Sequence, residues 1–159
     1  MKDLTHINKK GQPAMVDVGD KKVSLRTATA RSILSMPAEV MDHFTDGDIQ
    51  SKKGSVFQTA IIAGIMAAKK TGELIPLCHP LGLDNCQVDI HINKKQEVVI
   101  DCTASLTAKT GVEMEALVGA SIAALTVYDM CKAMSHDIII KETKLMAKTG
   151  GKRDFKRAK

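Results

Sequence analysis

Tryptophan is absent from this chain, and its whole aromatic complement is one Tyr and three Phe among 159 residues. A core without large rings must be closed by aliphatic side chains, with the nine Met as adaptable filler. The four cysteines, Cys78, Cys86, Cys102 and Cys131, lie far apart and form no Cys-x-x-Cys pair, so zinc-site spacing is missing. No HExxH set, P-loop or GxGxxG fingerprint occurs either, so no protein-bound metal is expected. No apolar run reaches membrane-spanning length, and the opening MKDLTHINKK has no apolar signal-peptide region. The expectation is a cytoplasmic protein without a membrane partner, its thiols reduced and mostly buried.

What is present is globular in proportion: 44% apolar and 26% charged residues, in a length that fits one domain with a closed core. The net charge of +5 is unevenly placed. The tail Lys152–Lys159 carries five basic residues and one acid, or +4, which leaves +1 for the other 151 residues. A basic end of this kind reads as solvated and mobile, so the body has no global nucleic-acid footprint.

Along the chain, residues 1–20 are polar with no clear period and read as an extended or partly disordered arm. A single domain is expected over 21–151, followed by a flexible tail over 152–159. Val23–Met36 is rich in β-branched and small residues and suggests a strand. Pro37 opens a short helix, Pro37–Phe44, that stops before Asp46-Gly47. Ser55–Lys70 is a second helix, with Ser55 as N-cap, Lys69 and Lys70 at the C-terminal dipole, and Gly72 as its stop. A Pro-bracketed loop, Ile75–Leu81, leads to a hairpin of Gln87–Ile92 and Val98–Leu106. A long helix over 111–133 and a last strand, Asp137–Met146, complete the order β-α-α-β-β-α-β. Two crossovers around a hairpin predict an α+β, ferredoxin-like antiparallel sheet backed by helices.

The long helix is apolar on most sides, with acids at its start and an Asp/Lys pair at its end. Thr110 and Glu113 fit a capping box, which gives Glu113 a structural role. Glu115, Gly119, Ile122, Thr126 and Asp129 share one stripe at 100° per residue. Asp129 opposes the helix dipole at the C-terminal end and so needs another reason to be there; Lys132 is within pairing reach. Glu115 and Asp129 stand about 21 Å apart along the helix at 1.5 Å per residue. One small substrate cannot touch both within a chain. Either one end is structural, or sites form between subunits. Lys52-Lys53 before the second helix N-terminus suits an anionic group such as phosphate. His79, in the rigid Pro76–Pro80 loop beside Leu77 and Cys78, is either a structural imidazole or an acid/base group.

Several blocks together resemble the molybdenum-cofactor biosynthesis protein C family, the cyclic pyranopterin monophosphate synthases. They are LIPLCHPL (Leu74–Leu81), KTGVEMEAL (Lys109–Leu117), ALTVYDMCKA (Ala124–Ala133), AKTGGK (Ala147–Lys152) and MVDVGDK near the start. The resemblance runs from Thr5 to Phe155. It implies a lyase that converts 3′,8-cyclo-7,8-dihydroguanosine 5′-triphosphate to cyclic pyranopterin monophosphate and releases pyrophosphate. It also implies a homohexamer, a trimer of dimers with sites at subunit interfaces, and no cofactor; whether Mg²⁺ accompanies the triphosphate stays open. Carried over by motif, Asp129, Lys132 and Lys53 are the implied catalytic residues, with Lys52 as a rival to Lys53. Leu77, Cys78, His79, Met114 and Glu115 are the implied substrate contacts. The ending KTGGKRD departs from the family's common KSGGKSG.

The chemistry suits these residue types. Opening and reclosing a nitrogen-containing ring requires proton transfers, for which amines and carboxylates tuned by their surroundings are fit. Closing a cyclic phosphate expels pyrophosphate, and cations stabilise the charge that develops. Two competing readings are an RNA-binding module and a structural oligomerisation domain. The first lacks stacking aromatics on the hairpin strands, and the second leaves Asp129 and the rigid loop unexplained.

Overall fold

The structure, a computed structural model, describes residues 6–8 and 10–158. Twelve-residue strand β1 (Ser24–Ser35) is the sheet's axis. It is followed by helix α1 (Ala38–Met41) and three short strands, β2 (Phe44–Thr45), β3 (Asp48–Ser51) and β4 (Gly54–Ser55). Then come helices α2 (Val56–Lys69) and α3 (Thr71–Leu74), strands β5 (Asn85–Ile92) and β6 (Glu97–Ala108), helix α4 (Glu113–Cys131), and strands β7 (Ile139–Thr149) and β8 (Phe155–Lys156). The main sheet runs β5-β6-β1-β7-β8 with every pairing antiparallel. Its first four strands have the ferredoxin-like order, and α2 and α4 cover one face.

The core explains how the fold does without large rings. Ala28 and Ala30 on β1, Ala104 on β6, Ala60 on α2, and Ala116, Ala120, Ala123 and Ala124 on α4 are all buried. Small side chains let helices and sheet approach closely, so dispersion contacts replace bulk. The tightest crossing is α2 on α4: a Cβ on Gly64 would lie 2.9 Å from the Gly119 carbonyl oxygen. A Cβ on Gly119 would meet the Cys102 sulfur at 2.5 Å. On the other face of the sheet, Arg31 grips Asp101 with two 2.8 Å hydrogen bonds directly across β1 and β6.

Helix α4 has the length and mean hydropathy of a membrane span, 1.3 over 18 residues. Packing against α2, β1, β6 and β7 accounts for that composition.

Several local expectations are corrected. The first helix ends at Met41 rather than Phe44, because the chain turns into a small three-stranded sheet, β2-β3-β4. Asp46 (φ +50) and Gly47 (φ +81) make the left-handed pair that a tight hairpin turn demands, so they join β2 to β3 rather than end a helix. The capping box at Thr110 does not form. Val112 is the N-cap of α4, and Glu113, already the first helical residue, pairs with Lys148. Gly72 lies inside α3 instead of stopping α2. A Cβ there would sit 2.9 Å from the Pro80 Cα, so glycine lets the 75–81 loop close onto the helix.

The basic tail contributes β8, in which Lys156 and Phe155 face Ala147 and Lys148 of β7. Of the arm at 1–20, residues 1–5 and 9 lie outside the described residues, as does Lys159 in the tail. The described part of the arm holds one bridge, Ile7 to Pro13.

Candidate active site

The C-terminal end of α4 carries a compact charge cluster. Asp129 Oδ1 accepts from Lys132 Nζ at 2.7 Å, and Asp129 Oδ2 accepts from Lys53 Nζ at 2.9 Å. Lys132 is the helix C-cap, one turn on from Asp129, and Lys53 arrives from the β3–β4 turn. Gly54 takes φ +106 just beyond that turn, which sharpens it and aims Lys53 across at α4. The lysines on either side hold the Asp129 carboxyl down at about 2 and push the Lys132 ammonium up. All three side chains are roughly half exposed, at 51–55%.

The geometry separates Lys52 from Lys53, since Lys53 is the lysine that reaches Asp129. It also corrects the expected phosphate site at the α2 N-terminus. That position is filled from within by Asp48, whose carboxylate accepts from the backbone N–H groups of Phe57 (2.7 Å) and Gln58 (3.3 Å) and from the Ser55 hydroxyl. Ser55 is the N-cap by position, but its side chain serves Asp48 instead of the helix. An acid already neutralises the helix dipole, so no anion is needed there.

The other end of α4 opens on a cleft of about 520 Å³ lined by Leu77, Cys78, His79, Met114 and Glu115. Glu115 is 4% exposed. Burial pushes its carboxyl up against the pull of its own backbone N–H; the Glu113 charge adds to the rise and His79 lessens it. The Cys78 thiol is raised by burial and by Glu115. His79 Nε2–H donates to the Val16 carbonyl at 2.8 Å, which orients the ring and ties the loop to the N-terminal segment.

A second cleft, about 600 Å³, adjoins it and is absent from the sequence-based expectations. Six cations line it, Lys21, Lys22, Arg26, Lys109, Lys148 and Lys152, with Glu113 the acid among its lining residues. The segment just before β1, β1 itself, the chain just after β6, β7 and the chain just after β7 deliver them from positions far apart in the sequence. Arg26 Nε donates to the Ala108 carbonyl (3.3 Å), and Glu113 holds Lys148 Nζ at 2.8 Å. Burial raises the Glu113 carboxyl, but Lys148 and its own backbone N–H outweigh that and leave it lowered. A signal was available in the sequence. The tetrapeptide AKTG occurs at 108–111 and again at 147–150, and the two copies flank the start of β1.

The site residues expected from sequence therefore fall into two groups at opposite ends of α4. Leu77, Cys78, His79, Met114 and Glu115 come together in one cleft, while Lys53, Asp129 and Lys132 come together elsewhere.

Comparison with known proteins matches the model of the MoaC family over residues 15–151. A cyclic pyranopterin monophosphate synthase of Xanthomonas campestris pv. campestris (strain 8004) is 53% identical over 152 residues, covering 96% of this chain and 92% of that protein. The Dictyostelium discoideum molybdenum cofactor biosynthesis protein 1 is 49% identical over 167 residues, covering 94% of this chain and 26% of the relative. A molybdenum cofactor biosynthesis bifunctional protein of Synechocystis is 51% identical over 155 residues, or 95% of this chain and 45% of that one.

Proposed function

The chain belongs to the MoaC family, and from that premise we propose that it is a cyclic pyranopterin monophosphate synthase. This is a phosphorus–oxygen lyase of molybdenum-cofactor biosynthesis. Its substrate is 3′,8-cyclo-7,8-dihydroguanosine 5′-triphosphate, and its products are cyclic pyranopterin monophosphate and pyrophosphate. The geometric observation that carries the reading is the wall common to the two clefts: Lys21, Thr110, Gly111, Glu113 and Lys152 line both. A nucleoside triphosphate needs one compartment for its rings and an adjoining one for its phosphates. The Leu77–His79 and Met114–Glu115 cleft takes the ring system. The six-cation cleft takes the triphosphate and stabilises charge on the departing pyrophosphate.

In this reading Asp129, Lys132 and Lys53 supply the proton chemistry. A carboxyl held at about 2 is a weak proton acceptor at neutral pH, so Asp129 acts by orienting the two ammonium groups. Lys132, with its pKa raised by Asp129, is charged at neutral pH and suits a clamp on an oxyanion; it serves as a general acid toward a ring nitrogen only once substrate draws Asp129 away and lowers that pKa.

The two groups stand about 21 Å apart along α4, so each complete site takes its clefts from one subunit and its charge cluster from another. This supports an oligomer with shared sites, in the form of the homohexamer, a trimer of dimers, that the family resemblance implies. Ile62 and Met66 on α2 and Leu125 on α4 are more than half exposed and supply apolar surface for such contacts. The reaction requires no resident cofactor in this reading, and a GTP-derived substrate is consistent with a cytoplasmic location.

The test is incubation with the cyclic dihydro-GTP intermediate, with and without a chelator of Mg²⁺. Pyrophosphate and the cyclic pterin, detected by mass spectrometry, are the expected products. Unconverted substrate under both conditions would overturn the assignment.

A further inference from the structure

Outside both clefts, two cysteines meet between β5 and β6. In that ladder Val88 faces Cys102 and Cys86 faces Ala104, so the cysteines lie on a diagonal of the same sheet face, where Cα atoms are about 7–8 Å apart and a bridge also needs the two strands to shift locally. Their sulfurs are 3.8 Å apart. A disulfide needs about 2.05 Å, so the sulfurs must approach by about 1.8 Å. Cys102 is fully buried, with its sulfur under Gly119, whereas Cys86 is only partly buried and is the more accessible of the two.

We propose that Cys86 and Cys102 form a peroxide-reactive thiol pair that closes into a reversible intramolecular disulfide. The Cys86 thiolate attacks the peroxide O–O bond, giving a sulfenic acid and hydroxide, which leaves as water with the Cys86 proton. The Cys102 thiol then attacks the sulfenic sulfur; the S–S bond forms as S–OH breaks, and a second water leaves. Two thiols are oxidised by two electrons and one peroxide is reduced to two waters. The order follows from access, with support from the local electrostatics. Hydrogen bonding to Cys102, and then Lys69, lower the Cys86 thiol despite its burial, whereas Cys78 and Cys131 are raised mainly by burial.

The experiment treats the full chain with hydrogen peroxide, blocks remaining thiols with N-ethylmaleimide, and cleaves before aspartate, which leaves one of these cysteines per peptide. The expected result is a cross-link between Asp84–Val88 and Asp101–Tyr128, two blocked thiols instead of four, and recovery of all four after dithiothreitol. Cys86→Ser should abolish the link, as should Cys102→Ser. Cys86→Ser lies outside the fully packed core and gives a readout even if Cys102→Ser fails to fold. A Cys86 oxidised to sulfinic acid beside an unreacted Cys102, or a link through Cys78 or Cys131, would overturn the proposal.

Discussion

The two ends of α4 are built on opposite plans. At the N-terminal end Glu115 is buried among the 77–79 loop and the basic cleft, and its environment comes from one chain. At the C-terminal end Asp129 and its two lysines form a tight ionic knot that stands half in water. Exposed ion pairs contribute little to stability, so the knot does not pay for itself as structure. Glu115 is already desolvated within one chain, whereas the Asp129 cluster is still accessible to a ligand or a neighbouring subunit. One chain closes the N-terminal end of α4 and leaves the C-terminal end open to solvent.

The largest expected effect separates chemistry from structure. Lys132→Ala and Lys53→Ala should each cut pyrophosphate release by about 10²-fold or more, while oligomeric size and melting temperature stay close to wild type. Lys52→Ala, which leaves the Asp129 pairs intact, should retain most activity. Equal losses for Lys52 and Lys53 would break the assignment.

Next in size is a test of whether the two ends work in different subunits. Glu115→Ala and Lys132→Ala should each be inactive alone. Co-expressed, they should recover roughly a quarter of the wild-type sites if each site is shared across a two-fold interface. No recovery in verified mixed oligomers would mean that each subunit completes its own site.

A purely structural change sits between the ends. Gly119→Ala would press a methyl group onto the Cys102 sulfur and the α2 backbone, and overpacking of this kind costs about 1–3 kcal/mol. Denaturant unfolding should show that loss, with both ends of the helix affected alike.

The smallest effect concerns Glu115 alone. Its folded pKa is raised above the ordinary 4.5, so the wild-type protein is stabilised while the group is protonated and loses that as pH rises through the raised value. Glu115→Gln removes the charge. It should melt above wild type at pH 7, with the gap closing as pH falls to the ordinary value. Wild-type stability that is flat across this range would indicate that Glu115 is not desolvated.

Much of this was legible in the residues. The strand at Val23–Met36, the helices at Ser55–Lys70 and 111–133, and the hairpin around Asn93–Gln96 all carry strong periodic or turn signals, and all are present to within a few residues. Pairing of Asp129 with Lys132 was readable from their three-residue spacing on a helix. The basic cleft was legible only in part: the repeated AKTG marks Lys109 and Lys148, but not their meeting. Its lysines are scattered from Lys21 to Lys152, and a net charge of +1 outside the tail hides their convergence. Asp48 as the cap of α2 was equally hidden, because a cap supplied from a preceding strand leaves no N-cap signature next to the helix.

By itself the sequence determined the periodic elements, the aliphatic core and the distance between the ends of α4, since these depend on local spacing along one backbone. Tertiary structure alone decided which lysine meets Asp129, which group satisfies the α2 N-terminus, and where six cations converge. Those outcomes depend on crossings between segments distant in the chain. A hairpin turn at Gly54, a glycine crossing at Gly64 and Gly119, and the pairing of β6 and β7 on either side of the start of β1 set them.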